Sequence, residues 1–173
     1  MFRKLGDNPV TTIGIDEASE TSVALLKILL AREMDLADVQ FRRIEPTTRP
    51  DELPDDVVLL IGDAGLAADP GDRKVMDLGE AWHQWTGLPF VYALWLIAPE
   101  ADPGEVVPHL LAAYRQATEQ GVNDGTQGAI YYQFGAEELS GLRRFHIEAA
   151  ELALADPRIE PIFIPDPVSE QNS

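Results

Sequence analysis

The chain has 173 residues, no cysteine, and 13 Lys and Arg against 30 Asp and Glu, a formal charge of −17. That balance argues against nucleic-acid binding, which needs clustered cations to release phosphate counterions, and against docking on an anionic membrane surface. The lack of cysteine removes disulfides, thiolate metal sites and cysteine nucleophiles, and the length suits one domain or two small lobes.

In chain order, residues 1–7 carry charge with no apolar run after them, so no signal peptide is expected there. Residues 10–15 are rich in β-branched side chains and predict a strand closed by Asp16. Ser19, Glu20, Thr21 and Ser22 then precede a strongly apolar stretch, predicting a buried helix that runs to about residue 33. Residues 39–44 predict a second strand. Residues 45–56 hold Pro46, Pro50 and Pro54 and predict a loop. Residues 57–61 are uninterruptedly apolar, the pattern of a strand covered on both faces in a parallel sheet, and end at Gly62 and Asp63.

Residues 69–72 predict a turn, 75–78 a short strand, and 80–86 a short helix stopped by Gly87 and Pro89. Residues 90–97 predict a fourth strand. This alternation of strands and helices indicates an α/β fold. From Asp102 the pattern turns helical only: Val107, Leu110, Leu111 and Tyr114 follow Pro103 at helical spacing. Residues 121–128 predict a glycine-rich break, and Leu139, Leu142, Phe145, Ala149 and Leu152 mark a closing amphipathic helix. Beyond Pro157 the tail predicts disorder over its last residues. The longest apolar run, residues 88–98, falls well short of the about 20 residues a membrane helix needs. A cytoplasmic protein is therefore expected.

The usual nucleophile and phosphate-loop signatures are missing, and His83, His109 and His146 stand at no metal-ligand spacing, so no metal site is expected. Two places qualify as ligand sites. Ser19–Ser22 opens a helix just after a strand, where free N–H groups and hydroxyls suit a carboxylate; ordinary capping by Ser19 fits the same residues. Gly62 and Asp63 follow the apolar strand at the same kind of sheet edge, with Asp63 either accepting from a ligand hydroxyl or capping the next helix. Trp82, Trp85, Phe90, Tyr92 and Trp95 form an aromatic concentration that reads either as a pocket lining or as core.

Four ordered blocks carry a more specific likeness. Asp77-Leu78-Gly79-Glu80-Ala81-Trp82 with Trp85-Thr86-Gly87-Leu88-Pro89-Phe90-Val91-Tyr92-Ala93-Leu94-Trp95 resembles the signature of the chorismate dehydratase family of the futalosine route to menaquinone. Ser19–Lys27, Leu59–Ala64 and Glu138–Phe145 resemble that family's helix-opening motif, next strand and turn, and closing helix. The resemblance implies a type II periplasmic-binding-protein-like fold of two α/β lobes with ligand in the cleft. It also implies a cofactor-free lyase that removes water from chorismate.

Aligned this way, Met1-Phe2-Arg3-Lys4 matches an internal segment before the family's second lobe. The expectation is then a second lobe with its hinge strand over residues 7–96, C-terminal helices over 102–155, a tail from 156, and a first lobe largely missing. Carried over, Ser19, Thr21 and Ser22 would help hold a substrate carboxylate, and Gly62 and Asp63 would line the cleft. Trp82 and Trp85 would support the hinge strand. No general acid or base is assigned; Glu20 is better explained by the favourable helix dipole at its position. The implied ligand is a small anionic, chorismate-like metabolite. A missing lobe would expose apolar surface around Leu110, Leu111, Leu142 and Phe145, for which either self-association or a complementing chain is expected.

Overall fold

A computed structural model describes residues 1–6, 9–16, 19–98, 100–120 and 134–158. The elements are β1 (Phe2–Arg3), β2 (Thr12–Ile15), α1 (Glu20–Ala31), β3 (Gln40–Arg43), β4 (Val57–Leu59), α2 (Gly62–Ala67), β5 (Lys74–Val75), α3 (Leu78–Thr86), α4 (Pro103–Glu119) and α5 (Ala136–Glu151), with a 3₁₀ turn at Pro50–Glu52. Strands and helices alternate through β5, and the fold is α/β. The five strands form one mixed sheet in the order β3-β2-β4-β1-β5. Two compact units divide the chain: Met1–Met76 with the described residues from Arg143 onward, and Asp77–Leu142.

In the first unit, β2 lies parallel to β3 on one side and to β4 on the other, with Ile13 opposite both Phe41 and Val57. Val57 and Leu59 point to one face of β4, Val58 and Leu60 to the other, and all four are buried. The unbroken apolar run thus makes a central strand, as its pattern predicts. Phe2, Ile44, Val58 and Leu60 pack as one core cluster. α1 buries Leu25, Leu26, Ile28 and Leu30, which accounts for its nearly continuous apolar sequence.

The amino ends of β2 and β4 are locked in register by side chains. One oxygen of the Asp56 carboxylate accepts from Thr11 N and Oγ1 at 2.9 Å, and from Thr12 N at 3.1 Å and Oγ1 at 3.2 Å. These donors hold its pKa down to about 2, the backbone N–H of Thr11 being the largest cause. Asp55, only 2 % exposed in its side chain, takes a forked bond from Arg42 of β3. Its carboxylate presses on Gly14 of β2, where an added Cβ would stand 3.0 Å from Oδ2. Asp56 thus ties β2 to β4 at their amino ends, and Arg42, opposite Gly14, joins β3 to the neighbouring Asp55.

β1 was not expected from the sequence. It inserts antiparallel between β4 and β5, pairing Phe2 with Val58 and with Val75. Two residues carry no period to recognise; the buried Phe2 and the ladder on both sides define the strand. The predicted strand over 75–78 proves shorter and earlier, at Lys74–Val75.

In the second unit, Asp77 caps α3 by accepting from Glu80 N at 2.8 Å, and the helix ends at Gly87, whose φ of 70° is the left-handed conformation glycine favours. Trp82 is buried, edge-to-face with Trp85 at 5.4 Å and with Phe90 at 5.7 Å; Phe90 in turn meets Tyr92 at 5.0 Å. Trp82 is therefore core, with Trp85 and Phe90 half-buried against it, while Tyr92 and Trp95 are exposed. Residues 90–97 correct the expectation of a fourth strand: they run outside helix and sheet, because strand-forming composition yields a strand only where another strand offers its hydrogen bonds. Of the apolar positions named on the last two helices, Leu142 is buried and Leu110, Leu111 and Phe145 are half-buried, while Val106, Tyr114 and Ile147 on the same helices are exposed. The predicted break at 121–128 lies outside the described residues, as does the tail from 159. Among the described residues no helix is long and apolar enough to cross a membrane.

Candidate functional site

The sequence-predicted residues fall in the first unit, at the carboxyl ends of β2 and β4. These strands are neighbours, with Ile15 opposite Leu59. One bond beyond the ladder, Asp16 N donates to the Leu59 carbonyl at 3.1 Å. Past it, one strand leads to Ser19 and α1, and the other to Gly62 and α2. β3 follows β2 on one side and β4 joins it on the other, so the edge between β2 and β4 is where the strand order reverses. In open α/β sheets such an edge is where ligands bind.

Ser19 is the N-cap of α1. Its backbone is extended, and its Oγ accepts from Ser22 N and from Ser22 Oγ, both at 3.2 Å. The capping role is thus realised, and Ser22 is committed to it as well. An α-helix start leaves its first N–H groups without intrahelical partners, here those of Glu20 and Thr21. With the half-buried Thr21 hydroxyl beside them, they are the donors through which α1 would meet an anion. Glu20 is exposed at the first helical position, where the dipole favours its charge.

Gly62 begins α2 with φ of 60° and open space where a Cβ would stand. Asp63 is exposed in the first turn and makes no capping bond; Ile61 occupies the cap position without a side-chain acceptor. Of its two predicted roles, capping is therefore not the one Asp63 plays. α2 spans only six residues, so its dipole adds little to that of α1.

Asp16 is the residue whose position the sequence reading undervalued. It is read there as the end of a strand, yet its side chain is buried, with 4 % of the residue exposed, at the edge where both candidate segments begin. An acid closing an apolar strand immediately before a Ser/Thr-rich helix start is the signal that could have singled it out.

Asp16, Glu20 and Asp63 belong to these segments, and Arg43 stands opposite Ile15 at the carboxyl end of β3. An anion at the start of α1 would be met by N–H groups and hydroxyls of the helix start. His83 lies exposed on α3 with Nδ1 3.3 Å from the Leu88 carbonyl, His109 is exposed on α4, and His146 stacks edge-to-face on Phe145. Among the described residues no three His, Asp or Glu side chains converge to hold a metal ion.

The profile of the menaquinone biosynthesis family matches residues 2–149. The chain belongs to that family. The match runs from β1 through most of α5, and so includes both segments at the β2–β4 edge. Chorismate dehydratase of Thermus thermophilus is 32 % identical over 141 residues, covering 70 % of this chain and 49 % of the relative. The chain spans about half the length of that relative.

Proposed function

We propose that this family member acts on chorismate, removing water to give 3-[(1-carboxyvinyl)oxy]benzoate in the futalosine route to menaquinone. The observation that carries the reading is the meeting of the Ser19–Ser22 and Gly62–Asp63 segments at one edge of adjacent parallel strands. The likeness to a chorismate dehydratase supports it. On this reading the first unit is a type II periplasmic-binding-protein-like lobe that supplies one wall of a cleft, in a cytoplasmic protein.

The chemistry suits what the edge offers. Water leaves as a ring proton and the ring hydroxyl, and the ring becomes aromatic. As the proton departs, conjugation spreads negative charge to the ring carboxylate. N–H groups at the start of α1 would stabilise that charge where it grows, which is how fixed dipoles lower a barrier. Ser19 holds the helix start in place, Thr21 adds a donor, and Gly62 leaves room for the substrate beside Asp63. No proton-transferring group is assigned.

The test is incubation of the purified chain with chorismate, following substrate loss and the benzoate product by liquid chromatography. Turnover supports the reading; undiminished chorismate beside an active full-length homologue sinks it.

A second reading rests on the chain spanning about half the length of its relative. Here the protein binds an aromatic carboxylate without turning it over, or does so only with a complementing polypeptide. Calorimetric binding of chorismate with no loss of substrate would select this reading.

A further inference from the structure

The first unit holds a cavity of about 410 Å³ lined by Lys4, Leu5, Asp51, Gly71, Asp72 and Arg73. It lies beside the amino end of β4, where Lys4 N donates to the Asp56 carbonyl, away from the carboxyl edge that carries Ser19 and Gly62. Its volume falls within the roughly 300–1,000 Å³ of small-molecule sites. Two cations gather on one four-residue stretch of its wall. Lys4 Nζ donates to the Pro54 carbonyl and stands 3.8 Å from Asp56 Oδ1. Arg73 donates to the carbonyls of Leu53 at 2.7 Å and Asp56 at 3.4 Å. Arg73 is only 7 % exposed, and its Nε is buried without a hydrogen-bond partner. A buried donor left unmet is costly, and neighbouring like charges repel, so an anion on this wall would relieve both. The facing wall is fixed. Arg73 N donates to the Pro70 carbonyl at 2.9 Å, and Gly71, with φ of 51°, packs so closely on Asp51 that an added Cβ would stand 2.8 Å from the Asp51 Cβ. Asp51 is ion-paired with Arg49 at 3.3 Å, and Asp72 is exposed.

We propose that this cavity binds a small metabolite that joins one anionic group to neighbouring hydroxyls, a sugar phosphate or a hydroxy acid. The anionic group would meet Lys4 and Arg73, whose charged donors make stronger bonds than neutral ones. Asp51 and Asp72 would repel a bare anion but accept from hydroxyls carried beside it, so both halves of the ligand are needed. Leu5 offers apolar surface to its carbon skeleton. The cavity stands apart from the start of α1, so this site does not depend on the proposed reaction.

Isothermal titration of the full chain with ribose 5-phosphate and with quinate tests this, beside inorganic phosphate and ribose. At least one of the first two should bind at about 1 mM or tighter, and the last two at least about tenfold more weakly. Which of the first two binds decides between phosphate and carboxylate. Binding should weaken from about 0.05 to about 0.5 M salt, a readout that needs no variant. Arg73 also ties loop carbonyls, so Lys4→Met, at a side chain 46 % exposed, is the deciding substitution. It should weaken binding at least about fivefold, by removing a charge-assisted bond. Lys74→Met takes the same charge from an exposed position outside the cavity and should change affinity by no more than about twofold. Circular dichroism checks that each variant folds. Failure of both ligands to bind up to about 10 mM overturns the proposal, as does inorganic phosphate binding equally well. Affinity indifferent to salt or to Lys4→Met overturns it too. A ligand that Thr21→Ala weakens and Lys4→Met does not sits at α1, and that also overturns it.

Discussion

Asp16 donates its backbone N–H to the carbonyl of Leu59 at 3.1 Å, one step beyond the last paired residues of β2 and β4. This bond carries the alignment of two parallel strands to the point where each chain segment turns away toward a helix. Because it is backbone to backbone, side-chain substitution cannot remove it directly. The separation of the Ser19 and Gly62 segments is fixed by the sheet rather than by the loops, so single substitutions in either segment should change contacts without moving the other.

Thr21→Ala should weaken binding of an aromatic carboxylate by roughly 2- to 10-fold, the worth of one neutral hydrogen bond, with unfolding unchanged. Isothermal titration with chorismate measures the first and urea denaturation the second. Equal affinity for both proteins would remove Thr21 from the site.

Ser19→Ala should cost about 1 kcal/mol of stability, since the Ser22 N–H loses its acceptor at the start of α1. Ser19→Asp separates capping from binding. It retains an N-cap acceptor and should keep stability within about 0.5 kcal/mol, but it sets a negative charge where an anion would sit and should lower affinity several-fold. A Ser19→Asp protein that binds as tightly as the native one would show that the ligand approaches elsewhere.

Asp56 ties pH to stability. Its folded pKa, about 2, lies below the unfolded value, so its contribution is fully present above pH about 4 and is lost as pH falls from there to about 2. Its carboxylate is partly exposed, so that contribution is about 1–2 kcal/mol after solvent screening. Asp56→Asn should lower stability by about that amount at pH 7, and flatten the decline between pH 4 and 2. Urea midpoints across this range decide it; parallel declines for the two proteins would contradict the assignment.

Gly141→Ala reverses the usual helix preference. Alanine ordinarily stabilises a helix interior by about 1 kcal/mol over glycine. At Gly141 the added Cβ would run into the carbonyl of Pro89, a backbone atom with no rotamer to yield. A loss of about 1–3 kcal/mol is expected instead, read from thermal or urea unfolding. A gain in stability would show that α5 does not approach Pro89 so closely.

Much of this was readable from single segments. The apolar run ending at Leu60 is a central strand because no polar side chain would let either face meet water. Ser19 capping α1, Pro103 opening α4 and Gly87 closing α3 follow from backbone chemistry that needs no distant partner. β1 and residues 90–97 mark the limit from opposite sides. Phe2–Arg3 is too short to read, yet two strands flank it and make it one. Residues 90–97 have every local mark of a strand but no strand beside them.

The candidate site divides the same way. Its candidate groups are legible in the chain alone: hydroxyls and N–H groups at a helix start, a glycine turn and no thiol. The sequence also carried the family likeness, since ordered motifs are a property of the chain. Only the tertiary structure decided that Ser19 and Gly62 emerge from adjacent strands, that Asp16 is buried between their origins, and that Trp82 is core rather than pocket wall. Local patterns reflect what each residue does to its own backbone. Adjacency depends on which strands share hydrogen bonds, and that is settled by the burial of Ile13, Val57 and Leu59 together, a choice made across the whole chain.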